Sequence, residues 1–109
     1  MKRSLWLLPF ALLLAGCGTV RIGRVLQDPA RYQNRNVSVE GRVVNVIGAL
    51  NMGAYEVDDG SGRIYVLSNR GVPQRDAQVT VSGRVTPGIN IMGKSLGTAI
   101  TESRHKVRY

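Results

Sequence analysis

Apolar and polar residues alternate along Val37-Ser38-Val39-Glu40-Gly41-Arg42-Val43-Val44-Asn45-Val46-Ile47. Val37, Val39, Val43 and Ile47 fall on one side of an extended strand, Ser38, Glu40 and Arg42 on the other. Gly41 takes an inward position, where a glycine marks a bend or a close backbone approach. The pattern returns: residues 37–43 match Val79-Thr80-Val81-Ser82-Gly83-Arg84-Val85 as V-[ST]-V-x-G-R-V. Between the copies, Ala54-Tyr55-Glu56-Val57-Asp58 and Arg63-Ile64-Tyr65-Val66-Leu67 read as strands. Asp59-Gly60-Ser61-Gly62 joins them as a hairpin connection of the Asp-Gly type. With Tyr55, Val57, Ile64 and Val66 inward, Glu56, Arg63 and Tyr65 face out.

The rest of the chain is assigned around these strands. Apolar positions 22, 25 and 26 predict a short helical turn, ended by Pro29. Residues 69–76 form a polar connector too punctuated by Gly and Pro for a helix. A fourth strand covers 78–86, and Pro87-Gly88 stops it. Residues 48–53 and 88–96 are glycine-bounded loops. A last strand begins at 98–102, followed by a basic end over 104–109. Five short strands at this length predict an all-β fold, a small five-stranded Greek-key barrel.

The first residues belong to something else. Lys2-Arg3 precede the apolar run over 5–14, which is short for a bilayer span of about 20 residues. Leu14-Ala15-Gly16-Cys17 resembles the lipobox of bacterial lipoproteins. The resemblance implies a signal peptide over 1–16, and fatty acylation (palmitate-type) of Cys17 and of the new N-terminus. In that family Asp after the Cys retains the protein in the inner membrane, so Gly18 implies the outer membrane, facing the periplasm. Several acyl chains anchor stably where one is marginal. Residues 17–21 are then a lipidated Cys and short tether, and 22–109 the domain. Cys17 is the one cysteine in the chain, so no intramolecular disulfide forms.

Without residues 1–16, 93 of 109 residues remain and the formal charge falls from +8 to +6 with the loss of Lys2 and Arg3. A basic domain suits anionic partners: nucleic acid, lipopolysaccharide or phospholipid headgroups, or acidic proteins. The arginines are spread from Arg21 to Arg108, which equally fits scattered solvated charge.

The run Asp28-Pro29, Tyr32, Val37-x-Val39-x-Gly41-x-Val43, Tyr55-x-Val57-Asp58-Asp59-Gly60-x-Gly62-x-Ile64-x-Val66 and Val79-x-Val81-x-Gly83-x-Val85 resembles the OB-fold, particularly the tRNA-anticodon-type and bacterial periplasmic OB families. The likeness covers about residues 22–103. Its positions speak to the fold and say little of the function, since fold does not fix function. Two departures stand out. No helix is expected between the third and fourth strands. Nucleic-acid-binding members of the fold usually present several aromatics on strands two and three, and here only Tyr65, with Arg63 beside it, faces out.

Chemical motifs are few. Gly88-Ile89-Asn90-Ile91-Met92-Gly93-Lys94-Ser95 matches G-x-x-x-x-G-K-[ST] letter for letter. A phosphate loop opens a helix, whereas Leu96-Gly97-Thr98-Ala99-Ile100-Thr101 is Gly-broken and β-branched. Asp58 and Asp59 are neighbours on a strand and point to opposite faces, which suits turn chemistry better than Ca²⁺ ligation. His105, the one histidine, sits in the basic end without a nucleophile or a second metal ligand in view. The expectation is a non-enzymatic module with no metal and no cofactor beyond the covalent lipid on Cys17. Its candidate partner surface combines Met52, Ile91 and Met92 from the two loops with Lys94, Arg42, Arg63 and Tyr65 around them. The expected partner is an envelope protein or an anionic envelope component; the alternative is single-stranded nucleic acid.

Overall fold

In the computed structural model, which describes residues 18–49, 52–91 and 93–108, the two copies of the repeat pair with each other, antiparallel. Residues 1–16, expected to be a signal peptide, lie outside the described residues, as do Cys17 and Met92. Val39 faces Val81, Val37 faces Gly83, and Gly41 faces Val79. The repeat is thus matched to itself about a local two-fold through Val39 and Val81. A Cβ on Gly41 would lie 2.5 Å from the Asp58 carbonyl oxygen, and one on Gly83 would press on the Thr101 carbonyl. Each glycine therefore marks where its strand passes from one neighbour to the next, the corner that closes a small barrel.

The strands are β1 (Asn36–Ala49), β2 (Met52–Asp58), β3 (Arg63–Ser68), β4 (Gln78–Ile91) and β5 (Lys94–Arg108). They close in the order β1-β2-β3-β5-β4. All neighbours are antiparallel except β3 and β5, which run parallel through Tyr65–Ala99, Val66–Ile100 and Leu67–Thr101. The inward set expected from alternation is the core: Val39, Val43, Tyr55, Val57, Ile64, Val66, Val79, Val81 and Val85 are buried, joined by Ile100. Residues 69–77 form no helix.

Several expectations are corrected, among them the loop over 48–53, where Gly48 pairs with Gly53 and Ala49 with Met52. A register shift between Val43 and Asn45 brings Val46, not Ile47, opposite Tyr55. A bulge moves the alternation by one residue; beyond it Val46 is exposed and Ile47 half-buried, so Ile47 does not join the core with Val43. Another correction concerns the end of the chain. Pro87-Gly88 does not stop β4, and residues 89–96 are not a loop: Ile89 pairs with Gly97, Asn90 with Ser95 and Ile91 with Lys94. The Pro-Gly pair is absorbed in a register shift between Thr86 and Ile89, with Gly88 at φ +67°. Beyond Arg84, β4 has no β1 partner, so the missing N–H of Pro87 breaks no ladder on that edge. Nor is the basic end loose: 104–108 pair with 78–82.

Two short helices precede the barrel, α1 (Ile22–Gln27) and α2 (Pro29–Tyr32). Ile22 and Val25 are buried against the core, whereas Leu26 is partly exposed. A six-residue helix is marginal alone, and α1 has no side-chain cap of its own. The β2–β3 turn supplies one. Asp59 accepts the Ile22 N–H at 2.8 Å, and Ser61 Oγ accepts the Gly23 N–H at 2.8 Å. Burial raises the Asp59 carboxyl pKa, but the N–H of Ile22 and the hydroxyl and N–H of Ser61 outweigh it, so the group sits below its ordinary value. A pKa lowered by folding gives stability that is present above the unfolded carboxylate value, about 4, and lost as pH falls through the folded value. Asp59→Ala is expected to destabilise the domain by about 1 kcal/mol at neutral pH, as loss of a helix cap does. In urea titrations the gap to wild type should close on acidification; a gap independent of pH would refute the cap.

Candidate functional site

The register shift between Ser82 and Gly83 leaves Ser103 as the extra residue on β5. Gly83 pairs with Glu102 and Val81 with His105, so both side chains turn inward although they are three apart. In an unbroken strand they would face opposite ways. The bulge therefore assembles a buried polar cluster. The Tyr55 hydroxyl donates to Glu102 Oε1, and His105 Nδ1 lies 2.8 Å from the same oxygen. Ser68 Oγ lies 3.0 Å from Glu102 Oε2 and 2.9 Å from the Gly71 carbonyl, and it accepts the Arg70 N–H. The His105 ring packs edge-on to Tyr55 at 5.8 Å. Burial, and then the Glu102 carboxyl, push the Tyr55 phenol far above its ordinary pKa. The order is Ser68–Glu102–His105, with the carboxyl in the middle. A nucleophile–base relay needs the imidazole there, so the cluster ties β2, β3 and β5 together and carries no Ser-His chemistry.

On the outside, pairing does what the linear sequence does not. Cross-strand partners share a face. Across β1, β4 and β5 the outward rows are Asn36–Arg84–Thr101, Ser38–Ser82–Arg104, Glu40–Thr80–Lys106 and Arg42–Gln78–Arg108. Arginines scattered over more than sixty residues thus collect on one sheet face. Part of this charge is neutralised: Arg108 meets Glu40 at 3.1 Å and Arg42 meets Asp76 at 3.6 Å. Among the described residues Arg84, Arg104 and Lys106 make no ion pair.

Two grooves open on this side. One, of about 470 Å³, has mixed charge, with Glu40, Asp58 and Asp59 opposite Arg42 and Arg108. The other, of about 690 Å³, is lined by Arg35, Arg70 and Arg104, by Tyr32, Ser38, Ser82 and Ser103, and by Gly18 and Val20 from the segment before α1. Among the described residues no carboxylate lines it. The backbone holds its walls in place. Val20 N–H donates to the Ser38 carbonyl at 2.8 Å, and Val85 N–H to the Arg35 carbonyl at 3.0 Å. Ser38 Oγ and Ser82 Oγ are 2.8 Å apart, and Ser103 Oγ donates to the Ser82 carbonyl.

The residues proposed from the sequence do not gather in one place. Arg42 pairs in register with Asp58, and so does Arg63, whose Nε donates to the Asp58 carboxylate at 3.0 Å. That carboxyl sits below its ordinary pKa, first because it accepts the Gly60 N–H and then because of Arg63. Met52 begins β2, six residues from Asp58 and so about 20 Å away along the strand. Tyr65 lies midway, half-buried and opposite Glu56. Ile91 and Lys94 face each other at the tip of the β4–β5 hairpin, and Met92 lies outside the described residues. The phosphate-loop look-alike is this hairpin. Sequence reasoning missed Arg35, Arg70, Arg104 and Glu102. The in-out alternation of Arg104-His105-Lys106-Val107-Arg108 was the available signal. Among the described residues no three His, Cys, Asp or Glu gather as a metal site.

No protein-family model matches the chain, and no curated protein does. Solved structures do. OBody AM3L09 bound to hen egg-white lysozyme is 20% identical at a TM-score of 0.56, covering 71% of this chain and 84% of that one. Asparaginyl-tRNA synthetase from Pyrococcus horikoshii complexed with asparaginyl-adenylate is 17% identical at a TM-score of 0.64, covering 83% of this chain but 22% of the synthetase. At such identities the likeness is one of fold, and that fold is OB-like.

Proposed function

We propose that the chain is a non-catalytic OB-fold binding module, held by acylated Cys17 on the periplasmic face of the outer membrane, where it contacts an envelope protein or an anionic envelope component. The observation that carries the reading is the outward cationic face of β1, β4 and β5, with Arg84, Arg104 and Lys106 outside any ion pair among the described residues. Unneutralised cations on one sheet attract anions at a distance and orient them on contact. The anchor rests on the Leu14-Ala15-Gly16-Cys17 sequence.

The neighbours support binding without naming a partner, since one is an OBody bound to a protein and the other a tRNA synthetase. Single-stranded nucleic acid is the alternative, favoured by the same charge. Base stacking contributes about 1–3 kcal/mol per aromatic, and the outward face of β2 and β3 offers Tyr65 alone.

Metabolic labelling with an alkyne fatty acid tests the anchor. Wild type should take up label and sediment with outer membranes, and Cys17→Ala should do neither, because no other thiol accepts the lipid. Equal labelling of both would refute the assignment. Crosslinking in intact envelopes should then recover an acidic protein or lipid with wild type, and lose it when Arg84, Arg104 and Lys106 are changed to Gln.

A further inference from the structure

The groove between the tether and the β4–β5 edge has the composition of a phosphate site. We propose that it binds the phosphate of an anionic lipid headgroup in the membrane that carries the anchor; this rests on the reading of Cys17 as the lipidated residue. Arg35, Arg70 and Arg104 line the groove and make no ion pair among the described residues. They come from three places: the segment after α2, the β3–β4 connector and the β5 bulge. A guanidinium presents a fork of donors that fits phosphate oxygens two at a time. The Ser38 and Ser103 hydroxyls stand beside them as neutral polar groups, and Tyr32 adds an aromatic wall. The nearest buried carboxyl, Glu102, is occupied by Tyr55, Ser68 and His105 and does not compete for the arginines.

The position of the tether decides among phosphate sources. Gly18 and Val20 line the same groove, and Val20 is pinned to β1 through the Ser38 carbonyl. Val20 is three residues from Cys17, at most about 10 Å of chain. An acylated Cys17 therefore holds the mouth of the groove within reach of the headgroup layer, where anionic lipids are concentrated. Binding there adds a second point of attachment and so fixes an orientation, with the opposite side of the barrel presented to the periplasm. Two attachments on one chain also reinforce each other through effective concentration.

The test uses the full chain, purified with its anchor in a neutral detergent. The probes are dihexanoyl phosphatidic acid, inorganic phosphate and a single-stranded oligonucleotide. Binding is read from the Nε–H signals of Arg35, Arg70 and Arg104 by ¹H–¹⁵N NMR. The lipid probe should shift all three, and do so at least about tenfold more tightly than inorganic phosphate. Changing these arginines together to Gln should weaken the lipid probe by about 100-fold, since each removes a charge-assisted hydrogen bond. The same change at Arg24, Arg31 and Arg75 removes equal charge elsewhere and should alter affinity less than about threefold. Arg35→Lys, Arg70→Lys and Arg104→Lys together keep the charge and lose the fork. That variant should fold as wild type and still bind at least about tenfold more weakly. Equal losses in the groove and control triples would reduce the site to diffuse charge and overturn the proposal. So would inorganic phosphate binding as tightly as the lipid, or an oligonucleotide binding more tightly through the same arginines. Loss of fatty-acid labelling with groove binding intact would remove the anchor while leaving the headgroup site standing.

Discussion

Gly83→Ala should lower the thermal midpoint of the domain by about 15 °C, on the scale of about 4–8 °C for each kcal/mol in a domain of under 100 residues. The added Cβ would press on the Thr101 carbonyl oxygen and approach Ile100 Cγ2 at 2.8 Å and Glu102 Cα at 2.9 Å. Two of these contacts are β5 backbone, which has no rotamer to change. Relief requires β5 to move off β4 at the bulge, and that movement carries Glu102 away from Tyr55 and Ser68. Overpacking of this kind costs about 3 kcal/mol or more at its upper end. With a total stability of about 5–15 kcal/mol, the variant is near the threshold of folding. Thermal circular dichroism on the purified protein measures the shift. A loss below about 3 °C would mean that β5 backs away freely and that the glycine corner does not determine the closure.

Glu102→Ala should destabilise the domain by about 3–5 kcal/mol. The carboxyl is buried and serves Tyr55, Ser68 and His105 at once. Removing it takes the partner from the Tyr55 hydroxyl and His105 Nδ1, while Ser68 keeps the Gly71 carbonyl, and opens a cavity; each buried unsatisfied group costs about 1–3 kcal/mol. Glu102→Gln, which keeps the volume and one acceptor, should lose less. Tyr55→Phe removes one donor and the anchoring of the largest core side chain. In a double-mutant cycle, Tyr55→Phe should cost far less in the Glu102→Ala background than in wild type. Urea unfolding of the four proteins gives the coupling. Additive losses would show that the two side chains stabilise the barrel independently, and the cluster would not be one unit.

Much of the barrel is legible in the chain because strand faces are written locally. Alternation identifies Tyr55, Val57, Ile64 and Val66 as inward, and every one is buried. The V-[ST]-V-x-G-R-V repeat points to two matching strands with a bend at the glycine, and the structure pairs them. The Asp59-Gly60-Ser61-Gly62 run reads as a turn and is one, although its second task, capping α1 from another element, lies thirty-seven residues away from the helix it serves.

The chain by itself determined which residues face inward, where the glycine corners fall, and the lipobox-like text around Cys17. The tertiary structure alone decided which strands are neighbours. That choice depends on contacts between distant residues, and a single bulge shifts the alternation by one position. So Ile47 fell outside the core, and residues 104–108, which look like a tail, became the end of β5 paired along β4. The candidate site follows from the same decision. Arg35, Arg70 and Arg104 are ordinary arginines in sequence, separated by stretches of about thirty-five residues. They become one cationic groove because β1 and β5 pair on either side of β4, while the β3–β4 connector and the segment before α1 border the same face.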